Sequence, residues 1–188
     1  RASGRQVTVF DLPEFDITRV DHLEQALAGA EAVVNCAAYT NVDGAEAQRA
    51  VAEAVNAQAP GQLGQLAAAR RVYVLHISTD FVFDGELDRP YREDDEPRPL
   101  SVYGATKLAG ERALQASGCP GAVVRVQWTY GKAGANFVSK FLARAAATDE
   151  LMMVEDQMGS PTWTRDVAGA LCHLLDRRVE GLFHYAAA

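Results

Sequence analysis

Ser101-Val-Tyr-Gly-Ala-Thr-Lys-Leu-Ala-Gly-Glu111 sets a tyrosine and a lysine four residues apart. Its Ala, Leu, Lys and Glu favour a helix, and Pro97 and Pro99 stand just before it, where a helix begins. Four residues make about one turn, so Tyr103 and Lys107 share a face. A free phenol gives up its proton only near pH ~10, and a lysine ammonium close by favours the phenolate. The pair therefore reads as a tuned acid/base. The same spacing also fits a Tyr and a Lys on a solvated helix face, so the surroundings decide.

Those surroundings alternate. Residues 6–10 are a β-branched run expected to form a strand, and residues 19–30 carry apolar side chains at helical spacing. Residues 31–36 are a continuous apolar run, as in a strand buried on both faces. An Ala-rich helical tract covers 45–57, breaks near Pro60 and resumes to 69. Residues 72–77 form the next buried strand, and 80–98 an acidic exposed loop before the Tyr103 helix. A strand at 121–127, a helix at 137–147, a short strand at 151–154, a helix at 166–175 and a last strand at 182–185 complete the chain. Alternating strands and helices predict a doubly wound parallel α/β sheet, Rossmann-like, with ligands beyond the carboxyl ends of its strands. That rule selects Asp11, the stretch 37–40, Ser78-Thr79-Asp80 and Trp128 to Gly131. It brings Thr79 beside Tyr103 and Lys107.

Composition narrows the function. The 188 residues fit one compact unit, with 48 % hydrophobic and 23 % charged residues. A net charge of −7 without a basic run argues against nucleic acid as partner. Cys36, Cys119 and Cys172 are dispersed, which fits a reducing cytoplasm rather than a disulfide framework. The four histidines lack ligand spacing, so no metal is expected. No apolar run approaches the ~20 residues of a membrane span. Pro60-Gly-Gln-Leu-Gly-Gln65 has the look of a phosphate loop, but no strand leads into it; it reads as a helix break whose small residues pack on the sheet. A carboxylate at Asp11 suits adenosine ribose hydroxyls and would repel a 2′-phosphate, which leans toward NAD over NADP.

Seven stretches run in order through the chain: Phe15-Asp-Ile-Thr18, Val34 to Thr40 with Val42 to Glu46, Ile77-Ser-Thr-Asp-Phe-Val-Phe-Asp-Gly85, Val102 to Glu111, Arg125 to Trp128 with Tyr130-Gly131, Asn136-Phe137 and Asp156 to Thr162. Together they resemble the extended short-chain dehydrogenase/reductases, and more closely the dTDP-4-dehydrorhamnose reductases. The resemblance implies NADPH or NADH as cofactor and reduction of the C4 keto group of a dTDP-4-keto-6-deoxyhexose. Tyr103 would donate the proton, Lys107 would lower its pKa and hold the nicotinamide ribose, and Thr79 would orient the carbonyl. Asp11, Asp16, Ile17, Ala38, Tyr39 and Thr40 would line the cofactor groove. Val42, Asp80, Trp128, Asn136 and Thr162 would meet the sugar nucleotide. A homodimer is one arrangement the chain admits.

The resemblance also has gaps. The family's first strand and Gly-rich loop have no counterpart here, and the family continues past residue 188. Residues 1–130 are then expected to be the dinucleotide-binding core. Residues 131–188 would be part of a substrate-binding lobe interleaved with the last core elements in one compact unit. Without the phosphate loop this piece is not expected to be active alone. Phe81 stands where the family usually has tyrosine, which touches the identity of the hexose. Two other readings share these residues: a ketoreductase or epimerase for another deoxysugar, and a nucleotide-binding regulatory subunit without chemistry.

Overall fold

The computed structural model describes residues 4–134, 136–153, 155 and 157–187. Four parallel strands make the main sheet in the order β1 (Ala32–Asn35), β2 (Tyr73–Thr79), β3 (Gly121–Val126) and β6 (Gly181–Tyr185). Register pairs Ser78 with Arg125, and Arg125 with His184, so these three side chains lie in a row across the sheet.

Helices cover both faces. One face of the sheet, with Val74 and Val123, packs on α1 (Val20–Leu27), α4 (Ala59–Arg70) and α5 (Val102–Ala116), through Leu23, Leu27, Leu63 and Leu114. The other, with Tyr73, Leu75 and Ala122, packs on α7 (Thr164–Arg177) through Leu171, Leu174 and Leu175. β2 is buried along nearly its whole length, which is why it reads as an unbroken apolar run. The doubly wound parallel expectation holds.

The Ala-rich tract is nearly continuous: α2 (Val42–Ala47), α3 (Arg49–Glu53), a π-helical turn at Ala54–Gln58, then α4. Pro60 lies in the first turn of α4. Proline has no N–H for the preceding carbonyls and its ring crowds them, so the chain widens into a π turn just ahead of it. The helix break therefore falls before the Gly61/Gly64 pair. Those glycines pack on α5, not on the sheet: a Cβ at Gly61 would lie 3.0 Å from Ala113 Cβ, and one at Gly64 would lie 2.9 Å from Leu114.

Two expected strands do not form. Residues 6–10 pair with no strand, and Val7 and Val9 are 52 % and 82 % exposed. β propensity makes a strand only where a neighbour takes up the backbone hydrogen bonds. Residues 151–153 are likewise irregular, with Met152 exposed; Val154 lies outside the described residues. A pairing that the sequence did not announce joins β4 (Thr129–Tyr130) to β5 (Thr162–Trp163). The remaining helix, α6 (Phe137–Ala145), opens on Asn136, whose Oδ1 accepts from Ser139 N at 3.0 Å. No described helix is long and apolar enough to cross a membrane.

Candidate active site

β2 ends in Thr79, and the chain turns at once into a 3-10 turn, Asp80–Val82. The Thr79 hydroxyl caps that turn: its Oγ1 accepts from Phe81 N at 3.2 Å and donates to Asp80 Oδ1 at 3.1 Å. α5 sits directly on the turn. A Cβ at Gly104 would come within 2.1 Å of the Phe81 carbonyl oxygen, so only glycine allows this approach. The start of α5 is fixed by Ser101, whose hydroxyl accepts from Gly104 N at 3.1 Å, and by Glu46, which accepts from Val102 N at 2.8 Å.

This seating brings the Tyr103 phenol beside Thr79. Burial pushes the phenol up, the nearby Thr79 hydroxyl draws it back, and the Asp80 carboxylate adds to the rise. Tyr103 is thus a protonated phenol at neutral pH, the state a proton donor needs. Its ring meets Phe81 edge-on at 5.6 Å and packs with Tyr39 and Val42.

Lys107 is nearly buried and donates from Nζ to the Ile77 carbonyl at 2.6 Å. Burial lowers its pKa to about 8, against the pull of Glu111 and Cys36. The expected lowering of the Tyr103 phenol by Lys107 is therefore corrected. The ammonium is committed to a strand carbonyl, and burial dominates the phenol. His76, fully buried, is held neutral by burial and by the Lys107 charge.

Asp80 is raised by burial and drawn back by hydrogen bonds from Gln127 and Thr79. Gln127 Oε1 accepts from Ser160 N at 2.8 Å. Gln127 thus ties the end of β3 to the 159–162 loop. Trp128, next along, has a left-handed backbone (φ 41°), which a bulky residue rarely adopts. A Cβ at Gly159 would lie 2.7 Å from its indole, so ring and loop are in close contact.

A family model described as "RmlD substrate binding domain" matches residues 1–188. The chain belongs to this family. It is 44 % identical to the dTDP-4-dehydrorhamnose reductase of Mycolicibacterium smegmatis, over all of this chain and 58 % of that protein. It is 42 % identical to a dTDP-4-dehydrorhamnose reductase of Mycobacterium tuberculosis, over 98 % of this chain and 62 % of the relative. A crystal structure of dTDP-4-dehydrorhamnose reductase from Bacillus anthracis in complex with NADP superposes with a TM-score of 0.95. It is 31 % identical and covers all of this chain and 68 % of that one. The chain thus spans about three fifths of the length of these curated relatives.

Within this family member, the structure gathers Thr79, Asp80, Tyr103, Lys107, Tyr39 and Val42 around the start of α5. Other expected residues are occupied elsewhere. Asp16 Oδ1 accepts from Thr18 N and Oγ1 at 2.9 and 2.7 Å, and Ile17 lies in the apolar core with Leu23 and Leu27. Asn136 donates from Nδ2 to the Gly131 carbonyl at 2.9 Å while capping α6, so its amide is fully used. Thr162 is fully buried, donating to Ser160 O and accepting from Ala187 N. Each of these four thus has partners within the frame. Asp11 is exposed, with Oδ1 accepting from Leu12 N. Ala38 is half-buried and Thr40 exposed beyond β1, on the stretch that Asn56 pins.

Sequence reasoning missed Asn56 and Gln127. Asn56 is fully buried; its Oδ1 accepts from Tyr39 N at 2.9 Å, and Nδ2 donates to Tyr39 O and Thr106 Oγ1. A lone amide among alanines was the available signal, because a polar group in a packed helix needs partners. The described residues hold no cluster of three metal-ligating side chains. A cleft of about 170 Å³ between Leu114, Cys119, Gly121 and Gly181 lies at the amino ends of β3 and β6, the wrong end of the sheet for this chemistry.

Proposed function

We propose that the full-length protein reduces the C4 keto group of dTDP-4-dehydrorhamnose to give dTDP-rhamnose, with NADPH or NADH as reductant. The observation that carries this reading is the seating of Tyr103, at the start of α5, against the Thr79 turn at the carboxyl end of β2, with the Lys107 ammonium one turn along the same helix. The names of the two mycobacterial relatives support the sugar nucleotide. The NADP complex of the Bacillus anthracis relative supports the cofactor.

The bound nicotinamide supplies hydride to the carbonyl carbon. The chain's own residues handle the oxygen. Tyr103 gives its phenolic proton to the oxygen as negative charge develops there, and Thr79 holds the phenol beside it. Lys107, a cation at neutral pH, faces the cofactor ribose. Asp11, Ala38, Tyr39 and Thr40 line the groove, while Asp16 and Ile17 border it through their backbone. Val42, Asp80 and Trp128 form the sugar side, with Asn136 and Thr162 shaping it from behind. Residues 1–130 would bear the cofactor and 131–188 the sugar-side lobe, interleaved because β6 returns to the main sheet. A cytoplasmic enzyme, with a homodimer as one assembly, fits this role.

The test follows oxidation of NADPH and NADH by the full-length protein with dTDP-4-dehydrorhamnose, and the stereochemistry of the product. Reduction to dTDP-rhamnose is expected. A protein that binds cofactor but oxidises none with any nucleotide sugar sinks the reading and favours a regulatory subunit; a different C4 or C5 configuration favours another ketoreductase or an epimerase.

A further inference from the structure

Two buried amides hold the stretch that follows β1, which has no regular secondary structure of its own. Asn56 grips Tyr39, and its amide is oriented by Thr106. Asn35, the last residue of β1, grips Ala37: its Oδ1 accepts from the Ala37 N–H at 3.0 Å. Asn35 is buried, while Ala37 stands exposed at the carboxyl end of the strand. The orienting partner of Asn35 is His76, which register places beside it on β2. His76 Nδ1 lies 3.0 Å from Asn35 Nδ2.

These two contacts fix the chemistry of the ring. A backbone N–H can only donate, so the Asn35 atom facing Ala37 is the amide oxygen. The amide nitrogen then faces His76, and it too can only donate. Nδ1 is therefore an unprotonated acceptor, and the neutral ring carries its hydrogen on Nε2. His76 is fully buried, and burial and the Lys107 charge both hold it neutral. Its neighbour Ile77 offers the carbonyl that takes Lys107. Consecutive residues of β2 thus reach two parts of the proposed cofactor groove, His76 through Asn35 and Ile77 through Lys107.

The orientation of Asn35 matters because the two ends of an amide are alike in shape and opposite in hydrogen bonding. Reversed, Nδ2 would meet the Ala37 N–H, donor against donor, and the start of the stretch would be released. The acceptor on His76 selects the orientation that holds. We propose that His76 is a positioning residue for the cofactor: by accepting from Asn35 it turns the amide oxygen onto Ala37 and so sets the backbone that begins the 37–40 stretch. The inference rests on the reductase reading only for what that stretch binds.

The experiment uses the full-length protein in three forms: native, His76→Leu and His76→Asn. Leucine fills the site without an acceptor, and asparagine returns an amide oxygen near the place of Nδ1. In the native protein, imidazole nitrogen shifts are expected to show the Nε2–H tautomer at neutral pH. An Nδ1–H tautomer or a charged ring overturns the proposal, and this reading decides even where His76→Leu does not fold. Hydrogen exchange of the Ala37 amide is expected to be about tenfold faster in His76→Leu, the size of one net hydrogen bond, and largely restored in His76→Asn. The Kd for NADPH should weaken by a similar factor while the sugar KM stays. Native Ala37 exchange in a folded His76→Leu overturns the proposal. So does an equal rise at the core amides of Val74 and Val123, because His76 would then serve the fold alone. Tautomer and exchange are read without cofactor or sugar, so their failure and the failure of the reductase assay are separate results.

Discussion

Lys107 donates to the Ile77 carbonyl at 2.6 Å from the helix face that also carries Tyr103, so strand β2 sets the lysine's position and the phenol does not. Burial lowers this lysine to about 8. Below that value it is a cation, and above it neutral. Cofactor binding that uses the cation is therefore complete at neutral pH and weakens as pH rises through about 8. Fluorescence titration of NADPH across this range is expected to give a Kd that climbs on the alkaline side. Lys107→Met should bind more weakly and lose the limb. A native Kd flat to strongly alkaline pH rules this role out.

Tyr103 gives a different signature. Its phenol is raised by burial, so it stays protonated where the enzyme works. Removing only the hydroxyl, as Tyr103→Phe, leaves the ring against Phe81 and Tyr39. Turnover is expected to fall by about 10²- to 10⁴-fold with little change in sugar KM, as when a contact made only in the transition state is lost. Steady-state kinetics on the full-length protein decide it. Near-native turnover would remove Tyr103 from the proton transfer.

The α/β order, the parallel sheet and the meeting of Thr79 with Tyr103 were legible because periodicity and strand order are local signals. Residues 6–10 misled because a strand depends on a neighbour that propensity does not reveal. The height of the Tyr103 phenol was misjudged. Helical spacing gives which side chains share a face, but not how deeply that face is buried or which strand carbonyl claims the ammonium. Arg125 was the readable clue left unused: a guanidinium inside the apolar run 121–126 requires a buried acid, and Glu111 supplies it.

Asn56 ties the stretch after β1 to α5 through Tyr39 and Thr106. Asn56→Ala leaves the Tyr39 N–H and carbonyl without these partners in a part-buried place. A stability loss of about 1–3 kcal/mol is expected by urea unfolding. Because Tyr39 borders the proposed groove, NADPH affinity should fall more than sugar KM rises. Equal changes in both would mean that Asn56 only supports the fold.

Three helical glycines separate packing from function. A Cβ at Gly110 would meet the Asn56 carbonyl oxygen at 2.0 Å, and one at Gly104 the Phe81 carbonyl oxygen at 2.1 Å; Gly169 on α7 faces open space. Backbone atoms cannot swing aside as a side-chain tip can, so Gly110→Ala and Gly104→Ala are each expected to cost about 1–3 kcal/mol. Gly169→Ala should stabilise by about 0.5–1 kcal/mol, since alanine is the better helix former at an unobstructed position. Thermal unfolding orders the three. Activity divides the first two: Gly104→Ala displaces the turn that carries Thr79 and Asp80, so its turnover should drop well below that of Gly110→Ala at matched stability. Equal turnover in the two would show that the seating of α5 on the Thr79 turn has slack, and that Tyr103 reaches its partner without it.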